Sequence, residues 1–333
     1  MKITLKDIAE DTGYSISTVS RVLSGSKKIS SRARHKIIES ARRLNYPHFN
    51  NSKAHHAPGL LNVFLVVTGF HTGEFYASFF HGINRAAEKC NVQLSLISLN
   101  KSFEEVCNTV KELSGQNFDG LILFAPEFDR SDYQKIKSVI PEDFPIVSNG
   151  LIETPVFSTV SFDGYSGGYL VAEHFCRKSY HRCGIIRGPL SKAEARYRAN
   201  GFNDYIAQTP EMEMVWQYHG DFTFESGTRA FNSFSDLQNK PEAIFACNDS
   251  MCHAFMEAAL QRGYSFPDDI AIVGYDDLPI CTRHRPKISS IHTDYDKLGK
   301  VTMGRLREIA SKPEQDRGVL SLVPVTLKSR ESS

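Results

Sequence analysis

Residues 4–25, TLKDIAEDTGYSISTVSRVLSG, decide how the chain is read. They form two short helical stretches joined by a tight turn. Thr4 can cap the first helix, with Asp7 near the positive end of its dipole. Ile8, Ala9 and Thr12 recur at helical spacing, and Gly13 supplies the break. Ser15 caps a second helix that runs from Ile16 to about Leu23 and ends at Ser24-Gly25. Val19, Val22 and Leu23 face inward, which leaves Ile16, Ser17, Ser20 and Arg21 facing out. A third helix follows Ser30 or Ser31, with Ile37, Ala41 and Leu44 as its buried stripe. It stops at Asn45-Tyr46-Pro47, because proline disfavours helix in the residue before it. This layout predicts a helix-turn-helix, a motif that lays its second helix in the DNA major groove.

Charge points the same way. The stretch up to Pro58 carries a formal balance of +7, while the whole chain of 333 residues is only +1, so the remainder is −6. A basic head on an acidic body is what phosphate binding predicts. The length allows two or three domains. No apolar run reaches the ~20 residues of a membrane helix, and the polar N-terminus is not a signal peptide, so no membrane partner is expected. Seven scattered cysteines, an odd number, predict reduced thiols in a cytoplasm.

Residues 47–61, PHFNNSKAHHAPGLL, break the composition and read as a linker. The body opens with the apolar run Asn62 to Thr68, a buried strand. Further strands are read at Gln93 to Ser98, 120–126 and 145–149, with helical periodicity between. A second series follows Phe157 to Phe162, with strands at Cys183 to Arg187, 214–219, 243–247 and 270–275. Strands alternating with helices imply parallel sheets covered on both faces. Two such series predict two similar lobes with a cleft between them, and ligands of open parallel sheets sit beyond the carboxyl ends of the strands.

Together these residues resemble the LacI/GalR family of bacterial transcription regulators. In the head the resemblance rests on Asp7-Ile8-Ala9, on G-x-S-x-x-T-V-S-R-V-L at 13–23, and on Ser30, Arg34 and Leu44-Asn45-Tyr46. In the body it rests on Arg198-Ala199-Asn200-Gly201-Phe202, Asn248-Asp249, Pro267-Asp268-Asp269 and Gly274-Tyr275-Asp276-Asp277. The resemblance implies a small all-α helix-turn-helix head (1–46), a hinge linker (47–61) and an α/β two-lobed, periplasmic-binding-protein-like body (62–333). Lobe one would take about 62–161 and 292–320, and lobe two about 162–291 and 321–333. It implies a homodimer on a near-palindromic double-stranded DNA operator, controlled by a small-molecule effector bound between the lobes, most simply a sugar or sugar derivative. The last residues, 325–333, hold no leucine heptads, so a coiled-coil tetramer is not expected.

Carried over by position, Ile16, Ser17 and Arg21 would touch base edges, with Arg21 suited to a bidentate contact to guanine. Ser15, Thr18, Ser30 and Tyr46 would hold phosphates. Around the effector the resemblance places Arg198, Asn248 and Asp276, with Asp163 opposite. Carboxylate, amide and guanidinium groups suit vicinal hydroxyls. Phe222 could stack on a sugar face or a base, and Phe75 and Tyr76 could close the other side. Asp249 and Asp277 read as helix caps. The hinge departs from the family. Lys53 stands near the usual arginine, and His55 falls where an apolar leucine wedge is expected.

Enzyme signatures are missing from the sequence. There is no G-x-S-x-G elbow, no Walker loop and no H-E-x-x-H. The cluster GYSGG at 164–168 opens a helix rather than a dinucleotide site. Cys247, Cys252 and His253 lack a fourth ligand at zinc spacing. No enzyme activity, cofactor or metal is expected. The competing reading is a small-molecule binding protein with a vestigial head.

Overall fold

The computed structural model describes residues 3–23, 29–44, 46, 61–70, 73–99, 102–116, 118–311 and 318–333, apart from the side chains at 31 and 42. Three helices make the head: α1 (Leu5–Thr12), α2 (Ile16–Leu23) and α3 (Ser31–Arg43). The N–H and hydroxyl of Thr4 both donate to the Asp7 carboxylate, which opens α1. Gly13 closes it in the left-handed region (φ 76°), where its missing Cβ removes the strain. Ile8, Val19, Val22, Ile37, Ile38 and Ala41 form a small core, rimmed by Leu5, Tyr14, Leu23, Leu44 and Tyr46. The expected stop at Ser24-Gly25 lies outside the described residues, as does most of the linker with Lys53 and His55.

The body holds two six-stranded sheets. The first contains β1 (Leu61–Thr68), β2 (Val92–Leu99), β3 (Gly120–Phe124), β4 (Ile146–Ser148), β5 (Ser158–Phe162) and β11 (Leu320–Val323), in the order β11-β5-β4-β3-β1-β2. Pairings from β2 through β5 are parallel. The second contains β6 (Arg182–Arg187), β7 (Glu213–His219), β8 (Ala243–Ala246), β9 (Ala271–Asp276), β10 (Ser289–His292) and β12 (Thr326–Lys328), in the order β12-β10-β9-β8-β6-β7. Only its β10–β12 pair is antiparallel. Inner strands such as β3, β8 and β9 are buried along their whole length, whereas the edge strands β2 and β7 alternate. That is the burial expected of parallel strands covered by helices.

Helices α4 (Glu74–Lys89), α5 (Phe103–Ser114), α6 (Arg130–Val139) and α12 (Tyr295–Ser311) accompany the first strand series, with α7 (Gly164–Arg177), α8 (Ala193–Gln208), α9 (Phe224–Ser235), α10 (Asp249–Gln261) and the short α11 (Ile280–Arg283) in the second. The glycine cluster at 164–168 does open α7. Internal contacts divide the chain into two compact units. One takes Met1–Phe70, Ile83–Val160 and Gly299–Ser321, and the other His71–Gly82, Ser161–Leu298 and Leu322–Ser333. The start of α4 thus groups with the second unit rather than with the first lobe. This segment makes close contacts within that unit, among them those of Glu74, which accepts the Ile280 N–H at 2.8 Å and pairs with Arg283 at 2.9 Å. Gly82 presses on the Tyr295 backbone so closely that a Cβ there would lie 2.5 Å away. The Phe75 ring also meets Tyr295 edge-on at 6.1 Å.

Candidate functional site

Two groups of residues carry chemistry, one on the head and one in the second unit. On α2 the buried face is Val19 and Val22, while Ile16 is 48 % exposed and Ser17, Ser20 and Arg21 are exposed as well. Helical period alone places these four on one side. Ile16 is therefore not part of the head core. At the amino end of α2, the Ser15 hydroxyl accepts the Thr18 N–H at 3.2 Å and lies within 2.9 Å of the Ser17 and Thr18 hydroxyls. Ser30 does the same service for α3, its hydroxyl accepting the Ala33 N–H at 3.3 Å. Tyr46 packs on the head core, with its N–H donated to Ala41. Helix ends lined with hydroxyls and N–H groups suit phosphate oxygens.

The second group lies where β6, β8 and β9 end. Arg198, on α8, is 8 % exposed. It donates to the Cys247 carbonyl at 2.7 Å and to Asp276 Oδ1 at 3.1 Å. Its guanidinium lies 3.7 Å from the Tyr275 ring centre and 5.7 Å from that of Phe222. Burial is the largest influence on Arg198 and opposes its charge, but Asp276, together with Tyr275, Cys247 and Tyr295, pulls the other way, and the net shift is upward, so the guanidinium stays protonated. Burial pushes the Asp276 carboxyl up, and Arg198 pulls it back.

The backbone here is bent into uncommon shapes. Phe222, Asp276 and Asp277 all have positive φ (71°, 113° and 53°). Side chains hold each bend in place. Asn248 caps α10, accepting the Met251 N–H, and its amide donates to the Phe222 carbonyl at 2.9 Å. Thr293 donates to the Asp276 carbonyl, while Asp277 binds Arg330 and His292. Asp163 caps α7 through Ser166.

Two expectations are corrected here. Asp249 does not cap α10, because Asn248 takes that place. Asp249 is instead fully buried, accepting the Leu278 N–H at 2.8 Å and the Ser290 hydroxyl at 2.7 Å. Asp277 braces the turn after β9 and caps no helix. Both sit next to real features of their motifs, and sequence alone does not say which neighbour points inward.

Arg198, Phe222, Asn248 and Asp276 thus come together, joined by direct contacts. Asp163 belongs to the same unit, at the start of α7, and its charge reaches Tyr275. Phe75 and Tyr76 join Tyr295 and Phe162 in an aromatic group of that unit. The sequence reading missed Tyr275, the platform under Arg198, whose buried hydroxyl has no hydrogen-bond partner among the described residues. It also missed Lys192, whose amine lies 6.0 Å from the Phe222 ring. The described residues contain no cluster of three or more His, Cys, Asp or Glu side chains that could hold a metal ion. No described helix is long and apolar enough to cross a membrane.

Comparison with known proteins identifies both parts. Residues 4–48 match the bacterial regulatory proteins of the lacI family, and residues 172–333 match the periplasmic binding protein-like domain. The chain is 26 % identical over 324 residues to the HTH-type transcriptional repressor PurR of Photobacterium profundum, covering 96 % of each chain. It is 24 % identical over 330 residues to the ribose operon repressor of Escherichia coli, covering 98 % of each. The Lac repressor bound to ONPG in its repressed state superposes with a TM-score of 0.74, at 25 % identity and full coverage of both chains. With a lacI-type head and a binding-protein body in one chain, this protein belongs to the LacI/GalR family of bacterial transcription regulators.

Proposed function

We propose that the protein is a sequence-specific transcription repressor, working as a homodimer in the cytoplasm and controlled by a small effector rather than turning one over. The observation that carries this is the exposed Ile16-Ser17-Ser20-Arg21 edge of α2 on an otherwise packed head. In this reading Ile16, Ser17 and Arg21 touch bases, and Ser15, Thr18, Ser30 and Tyr46 fix phosphates. Arg198, Asp276, Asn248 and Phe222 bind the effector at the carboxyl ends of the second sheet, with Asp163, Phe75 and Tyr76 contributing from the same unit. A forked guanidinium, a carboxylate and an aromatic face suit a sugar-type ligand, in keeping with the kinship to the ribose operon repressor.

The test is selection of duplexes from a random pool by the full-length protein. A defined motif should emerge, and Arg21→Ala should relax preference at one base while costing ~1–3 kcal/mol. Failure to enrich any sequence at low salt would overturn the proposal.

A further inference from the structure

The amino end of α3 is already occupied by an anion, and the anion comes from the body. Asp143 lies in the loop before β4, and its Oδ2 accepts the Arg32 N–H in the first turn of α3 at 3.3 Å. One turn further on, the His35 Nδ1–H donates to Asp119 Oδ1 at 3.3 Å. Asp119 precedes β3 and is locked to β1, its Oδ2 accepting the Asn62 N–H at 2.7 Å. Arg32, His35 and Ile38 of the head share a groove with Phe118, Asp119 and Phe144 of the first unit. The first-turn N–H of Arg32 and the His35 ring therefore each meet a carboxylate, in line with a +7 head on a −6 body. The α2 edge stays exposed in this arrangement.

An amino-terminal helix N–H bound by a carboxylate cannot also bind a phosphate oxygen, since both use the same donor and the same dipole end. We propose that the first unit parks its own DNA-binding head, with Asp143 and Asp119 standing in for DNA phosphates, so that this docking and the clamping of a duplex by α3 exclude each other. The inference rests on the reading of α3's amino end, beside Ser30, as a phosphate contact. Parking lowers the population of free heads, and apparent DNA affinity falls by that fraction.

The test measures binding of the full-length protein to a fluorescent mixed-sequence duplex at low salt. Asp143→Asn should tighten binding ~3- to 10-fold if parked heads predominate. His35→Gln should tighten it too, although removing a basic group from the head would otherwise weaken it. Glu142→Gln, which neutralises the adjacent exposed acid, should have little effect. Unchanged or weaker binding by Asp143→Asn and His35→Gln would overturn the proposal, as would equal tightening by Glu142→Gln. If neither the unmodified protein nor these two variants bind DNA at all, the phosphate reading of the head fails and the parking proposal with it.

Discussion

Arg198 carries a full charge inside the second unit, held by the Cys247 carbonyl, the Asp276 carboxylate and the Tyr275 ring. Replacing it by alanine leaves Asp276 buried without its cation, which typically costs ~3–5 kcal/mol. Denaturant unfolding should show a loss of stability of that size, whereas a loss under ~1 kcal/mol would mean water already reaches the pair. Asp249 offers a test with the opposite sign. Burial, reinforced by the Asp276 charge, raises its pKa above the ordinary 3.8. The folded state then holds a proton that the unfolded chain releases, so stability falls as pH rises from the ordinary 3.8 towards the raised value of about 8. Over ~5 to ~8, Asp249→Asn should flatten the fall of melting temperature with pH. Parallel curves for the two proteins would show that Asp249 is ionised throughout.

Helices α7 and α8 cross where neither could carry a side chain. A Cβ on Gly168 would lie 1.9 Å from the Arg198 carbonyl oxygen, and one on Gly201 would lie 1.9 Å from that of Tyr165. The crossing therefore sets the depth of Arg198 as well as the packing of its helix. Gly168→Ala should cost ~2–3 kcal/mol and displace Arg198, because backbone, not a flexible side chain, must move. Gly13→Ala makes the useful contrast. Nothing lies within 4 Å of that Cβ, so only the left-handed φ opposes it, at ~1 kcal/mol. Melting temperatures of the two variants separate crowding from backbone strain. The same division explains what the sequence makes legible. Strands buried on both faces show as unbroken apolar runs, so 62–68, 120–126 and 270–275 can be read directly. Helix α6 buries only Tyr133 and Ile136, too few to leave a periodic stripe in the sequence.

At the scale of the whole molecule, the head is legible because its recognition surface is one local stretch of eight residues. The effector site is not, because Arg198 and Asp276 stand 78 positions apart and only a family resemblance links them. Nothing local marks Tyr275 as a platform or Asp249 as buried. The charge split and the two sites lead to the last expectation, which concerns coupling. If the body governs the head, a sugar that stabilises the protein by mass action must alter DNA affinity, and the DNA must alter sugar affinity by the same factor. That factor is typically worth ~1–3 kcal/mol. Titrating a selected duplex with and without the sugar, and the sugar with and without the duplex, gives two ratios that must agree. Asp276→Ala should bring both to one by removing the sugar's grip, while leaving the affinity for DNA alone unchanged. A sugar that binds tightly yet leaves both ratios at one in the unmodified protein would mean the head no longer listens to the body, and the chain would then be a binding protein carrying a vestigial helix-turn-helix.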